Sequence, residues 1–178
     1  MKYHVRFLLP LILLAVGMLQ PCRAEMTALQ IESAYVFNFI KFVEWPAGTI
    51  KSGDKIRLCV IGNDELHASL SALEGRKIGD HPLQILLPQN DRGSLRDCQV
   101  LYIGTEEQRR LVPIIKSLGD APVLTISDIA DFAERGGGIG LLYRDNKMLF
   151  EINLASARRA GLRMSSQMLN LAANIFGK

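Results

Sequence analysis

Few residues in this chain are of types that could do covalent chemistry, and most sit at spacings that do not support it. Cys59 lies in the apolar run IRLCVI and Cys98 opens the run CQVLYI. Neither stands in a Cys-x-x-Cys, so the redox pair of a thioredoxin-like enzyme is not expected. In an oxidising compartment an even pair reads as a disulfide. It would close a loop of roughly 40 residues, which the chain-entropy model values at about 4 kcal/mol. The other reading is two free thiols buried for packing. His67 and His81 have no Asp, Glu or Cys at metal-ligand spacing, so no zinc site is expected. Ser127 and Ser165-Ser166 lie outside any Gly-x-Ser-x-Gly elbow. Nothing in the spacing brings a histidine to them, and Ser165-Ser166 read instead as helix caps. Asp128 and Asp131 share one face of an expected short helix and read as solvated.

The glycines of Gly136-Gly137-Gly138-Ile139-Gly140 invite comparison with a nucleotide loop. A dinucleotide fingerprint follows a strand and opens a helix. Here the glycines follow an expected helix and open a strand, so a helix C-cap and a close turn are expected instead. The chain is read as a non-enzyme without cofactor or metal; an exported hydrolase would lack a recognisable catalytic set.

Residues 1–24 read as a secretory signal peptide: basic Lys2 and Arg6, an apolar run from Phe7 to Leu19, and small residues Cys22 and Ala24 before Glu25. The run is short for a membrane span, and a lipoprotein reading at Cys22 is disfavoured by Gln20 and Pro21. The full chain has 21 Lys+Arg against 18 Asp+Glu. Three of the basic residues, Lys2, Arg6 and Arg23, belong to the leader, so the exported remainder is electrically balanced. Nucleic acid is therefore not an expected partner, since phosphate binding needs a basic excess on one face.

The elements that must position these residues fit one domain over residues 25–178. A helix is expected over Met26–Glu44, ended by Trp45-Pro46 because the residue before proline is pushed out of helical conformation. Tyr35, Phe39 and Phe42 form one stripe of it, and Val36, Ile40 and Val43 another. So broad an apolar surface needs burial on more than one side. It reads as a core helix, or as a partner-binding face in which Phe39, Phe42 and Trp45 are the candidate contacts, the terminal hairpin and helix being the alternative contact surface. Strands are expected at 56–61, 83–87, 99–103 and 123–127. Helices are expected at 64–73 (capped by Asn63 or Asp64), at 106–116 (capped by Thr105), and from Ser127 or Asp128 to about Arg135. Residues 139–152 alternate around Asp145-Asn146-Lys147 as a hairpin. A helical pair then runs to the C-terminus, with Met168, Leu171, Ala172 and Ile175 on one face. The expected fold is an α/β layered sandwich with a mainly parallel sheet, a C-terminal antiparallel hairpin and helices on both faces.

In order, the chain carries Tyr35-x-x-Asn38-Phe39-x-Lys41-Phe42-x-x-Trp45-Pro46, Cys59-x-Ile61-Gly62, Cys98-Gln99-x-Leu101-Tyr102-Ile103 and Leu124-Thr125-Ile126-Ser127-Asp128. It closes with Phe150-x-Ile152-Asn153 and Gly161-Leu162-x-x-Ser165-Ser166-x-x-Leu169-x-Leu171-Ala172. In these segments it resembles the YfiR family of periplasmic proteins, through essentially the whole exported part. The resemblance implies a dimeric periplasmic repressor. Such a protein holds an inner-membrane diguanylate cyclase (YfiN-type) inactive by binding its periplasmic part, and an outer-membrane OmpA-like lipoprotein (YfiB-type) relieves it. The output is cyclic di-GMP, hence biofilm formation and motility. Cys59 and Cys98 match a family disulfide pair; the second pair of some relatives has no counterpart here. Related domains also act with membrane kinases. That leaves an alternative, a periplasmic small-molecule-binding sensor with a pocket near Gly62, Gly104 and Ser127, at the carboxyl ends of the strands.

Overall fold

In the computed structural model, which describes residues 26–88, 94–145 and 147–178, the chain starts with helix α1, Ala28–Lys41. Thr27 caps it with a reciprocal box: the Gln30 amide donates to Thr27 Oγ1 (3.2 Å) and the Thr27 amide to Gln30 Oε1 (2.9 Å). The expected leader at 1–24 and Asn146 of the hairpin turn lie outside the described residues.

Eight strands form one sheet: β2 Ile56–Ile61, β3 Lys77–Ile78, β4 His81–Leu86, β5 Val100–Ile103, β6 Leu124–Ser127, β7 Ile139–Arg144, β8 Lys147–Asn153 and β10 Asn174–Phe176. Their spatial order is β10-β8-β7-β6-β5-β2-β4-β3. The pairs β4/β2, β2/β5, β5/β6, β6/β7 and β8/β10 are parallel, and the β7/β8 hairpin and β3/β4 are antiparallel. Central strands covered on both faces are mainly apolar, and every residue of β5 is apolar or aromatic and buried.

Helices lie on both faces, as expected. Against one face pack α1, α2 (Asp64–Ser71), α4 (Leu154–Arg159) and α5 (Ser166–Leu171), enclosing Leu58, Val60, Tyr102, Leu124 and Ile126. Asn63 caps α2 by accepting from the Leu66 amide at 2.8 Å. Ser33 Oγ donates to Ser69 Oγ at 2.8 Å and so ties α1 to α2. The other face carries α3, Leu111–Leu118, which seats Leu111, Ile114 and Leu118 over Cys59, Leu101 and Ile103.

Four expectations are corrected. The first helix stops at Lys41, and Val43–Glu44 instead form a short strand β1 that pairs antiparallel with β9, Arg163–Met164. Cross-strand pairing wins over helix continuation where the approach to Pro46 already disfavours helix. Thr105 caps nothing: residues 105–110 form a 3-10 segment without a side-chain cap, and α3 begins at Leu111 with Pro113 tolerated in its first turn. No helix forms between Ser127 and Arg135. The Ile129 amide bonds Ser127 Oγ (3.0 Å) and Asp131 takes a positive φ of 58°, so the segment is a series of turns that seats Ile129, Phe132 and Ala133 in the core. Finally, α5 ends at Leu171, and Ile175 lies in β10 rather than on a helix face. The Ala173 amide bonds the Phe150 carbonyl at 2.8 Å, and covering the open edge of β8 satisfies a row of backbone groups that further helix would have left bare.

Candidate partner-binding surface

The three aromatic candidates are separated by the fold. Phe39 is 3% exposed and packs in a ring cluster, its centroid 4.9 Å from that of Phe150 and 5.9 Å from that of Tyr35. It has no surface to offer a partner, because α1 lies directly on the β7/β8 hairpin; Tyr35 Oη donates to the Met148 carbonyl at 3.0 Å. Phe42 is half-buried at the end of α1, and its carbonyl accepts the Ser165 amide at 2.9 Å. Trp45 is half-buried, with Nε1 donating to the Gln99 carbonyl at 3.3 Å.

The indole of Trp45 edges an open groove of about 380 Å³ with Val43, Pro46, Ile50, Ile56 and Ile78. Lys41 and His81 stand at its border. Val43 of the groove belongs to the short β1/β9 ladder, whose other rung carries an Arg163–Glu44 ion pair. A concavity lined by both apolar and polar groups, with an amphipathic ring at its rim, suits an inserted amphipathic side chain.

Cys59 and Cys98 are bonded, with Cα atoms 6.0 Å apart. Both are buried, in the core layer beneath α3. The other candidate groups are occupied internally. Ser127 Oγ donates to the Ile103 carbonyl (2.5 Å), and Ser165 Oγ caps α5 by accepting from the Met168 amide (3.2 Å). His81 Nδ1 bonds the Asp54 carbonyl at 3.0 Å, which places the proton on Nδ1. Among the described residues no three His, Cys, Asp or Glu side chains cluster as a metal site, and no helix is long and apolar enough to cross a membrane. The glycine run is packed rather than open: a Cβ at Gly137 would overlap the Phe132 ring.

The sheet changes direction between β2 and β5, where an open α/β sheet ordinarily leaves a ligand crevice. Here a Cβ on Gly104 would overlap the Gly62 carbonyl, and one on Gly62 would sit 2.7 Å from Glu107 Cγ. Ser127 is fully buried. Among the described residues, backbone and the Glu107 side chain occupy the place where the expected pocket near Gly62 and Gly104 would open, and Ser127 is buried away from it.

One cluster was not anticipated. Tyr102, fully buried on β5, donates its hydroxyl to Glu32 of α1 and also faces Asp128 after β6. Burial is the main cause raising the Glu32 carboxyl; the Tyr102 hydrogen bond offsets part of it and the Asp128 charge adds to it. Burial likewise raises Asp128, offset in part by Tyr102 and by its own backbone amide. Burial first, then the two carboxylates, pushes the Tyr102 hydroxyl strongly upward. Asp128 Oδ1 is buried with no hydrogen-bond partner. The only sequence signal was a tyrosine at the centre of an otherwise apolar strand, which must find a polar partner.

A family model described as YfiR/HmsC-like matches residues 29–173. Among solved structures, the crystal structure of a conserved domain protein from Vibrio cholerae is similar, with 11% identity and a TM-score of 0.55. The match covers 85% of this chain and 61% of that one, so this chain spans less than two thirds of the Vibrio protein's length. At that identity the likeness is one of fold.

Proposed function

The chain belongs to the YfiR/HmsC-like family, and on that premise we propose that it is a periplasmic regulatory protein, without catalytic activity, that represses a membrane diguanylate cyclase of the YfiN type. It binds the cyclase's periplasmic part and so lowers cyclic di-GMP. The observation that carries this reading is the open groove edged by Trp45, in a fold where Ser127, Ser165, Cys59 and Cys98 are tied up internally. Repression then requires only that the groove fit one conformation of the receptor better than the other. Swinging a receptor from 1:99 to 99:1 takes about 5.5 kcal/mol of differential binding. An OmpA-like lipoprotein of the YfiB type relieves repression by sequestering the protein, which acts as a homodimer. The Cys59–Cys98 bond, lying beneath α3, serves the fold.

The test is capture of a YfiN-type periplasmic domain by the purified protein, alongside cyclic di-GMP measurement in cells. Trp45→Ala is expected to weaken capture by about 30-fold, as loss of a hot-spot aromatic does, and to raise cyclic di-GMP. Undiminished capture by that variant would move the contact away from the groove.

A further inference from the structure

A second groove lies against the outer surface of α3 and is bordered as well by the turn segment after β6 and the C-terminal end of α4. It has a volume of about 360 Å³ and is lined by Val112, Ile115, Lys116, Asp120, Arg135 and Arg159 among others. Val112 is 48% exposed, a bare aliphatic side chain on the outer surface of α3. Three cations and one anion border this apolar floor. Lys116, Arg135 and Arg159 are all exposed, and none makes an ion pair or side-chain hydrogen bond among the described residues. Lys116 and Arg159 fall in the last turns of α3 and α4, where a cation complements the helix dipole. That accounts for two of the charges. It explains neither Arg135, which comes from the turn segment, nor the uncovered Val112. Three cations from three separate elements against the single Asp120 leave the border of the groove net positive, which an anionic occupant would complement.

We propose that this groove docks an acidic, apolar segment of a protein partner, with aliphatic side chains on Val112 and Ile115 and carboxylates toward Lys116, Arg135 and Arg159. The inference rests on the reading of the chain as a binding protein in one respect, that the anion belongs to a protein. It adds a second contact surface, whose lining shares no residue with the groove at Trp45.

The probe is a fluorescein-labelled hexapeptide of alternating glutamate and leucine, titrated by anisotropy against the purified protein. A lysine–leucine hexapeptide and decanoate serve as comparisons. Saturable binding of the acidic peptide is expected. It should weaken at least tenfold in the Arg135→Glu/Arg159→Glu variant and fall steeply with added salt. Val112→Ser should weaken it as well while leaving the salt dependence in place. Melting curves establish that each variant is folded, and Lys116→Glu replaces the double variant if that one is not. Equal binding of the lysine–leucine peptide overturns the proposal, as does undiminished binding by a folded charge-reversed variant. Binding of decanoate without binding of the acidic peptide overturns it too, and assigns the groove to a lipid carboxylate. The same variants in the cyclic di-GMP assay separate the two readings. If wild type and variant both repress, the second groove is not a partner contact. If wild type itself does not repress, the repressor reading fails and the peptide titration alone judges the groove.

Discussion

Tyr102 has one hydroxyl proton and faces two carboxylates, so the folded chain favours keeping a further proton on Glu32 or Asp128. Both carboxyls are raised by burial, so between their unfolded values near pH 4 and their raised folded values the native state holds more protons than the unfolded one. Stability from this cluster is therefore present in mild acid and falls as pH rises through that window. Glu32→Gln locks one carboxyl in its neutral form and keeps an acceptor for Tyr102. Its melting temperature is expected to exceed that of wild type at about pH 8, with the gap closing toward about pH 4. The same gap at both pH values would show that the cluster does not titrate this way. Phe39 and Trp45 make the complementary residue-scale comparison. Phe39→Ala empties a core position and is expected to destabilise by about 3–5 kcal/mol without a specific defect in binding. Trp45→Ala, at a half-buried rim, should show the reverse balance. Melting curves and partner capture measured on the same two proteins check both halves.

Among the elements, the ends decided more than the middles. The apolar runs at 56–61 and 99–103 are strands almost to the residue, because a fully covered parallel strand is mainly apolar and carries its own signature. The segment after β6 and the stretch beyond Leu171 have spacing that suits helix, yet they form turns and a strand, because the neighbouring edge of β8 and the Ser127 hydroxyl settle the matter. Where β2 and β5 end, the meeting of Gly62 and Gly104 closes the crevice that the topology would otherwise open. Gly104→Ala forces a methyl group onto the Gly62 carbonyl. It is expected to destabilise by about 1–3 kcal/mol or more, read as a lowered denaturant midpoint. An alanine variant as stable as wild type would mean that the strand ends are free to part.

For the molecule as a whole, the Cys59–Cys98 bond joins β2 to the approach of β5 across a sequence separation of 39. Replacing both by alanine is expected to remove about 4 kcal/mol through loop entropy, measured by denaturant unfolding. With both sulfurs under α3, mild reductant acting on the native protein should change neither its melting temperature nor partner capture. A capture that tracks reductant would make the bond a switch.

The candidate surface was legible only in part. Phe39, Phe42 and Trp45 are recognisable as an aromatic stripe, but a stripe does not say which side of a helix meets a sheet and which meets water. The hairpin packed on Phe39 and left Trp45 at a rim. The second groove was not legible at all, because Lys116, Arg135 and Arg159 are distant in sequence and meet only when α3, the turn segment and α4 converge. Local patterning by itself determined the α/β class, the buried strands, the hairpin, a cap at Asn63 or Asp64 and another at Ser165-Ser166, and the family resemblance, since periodicity and capping act within a few residues. Tertiary structure alone decided the disulfide over two free thiols, the closure of the crevice, the carboxylate pair around Tyr102 and the two open grooves. Each of these depends on which distant side chains the sheet order brings within a few ångströms of one another.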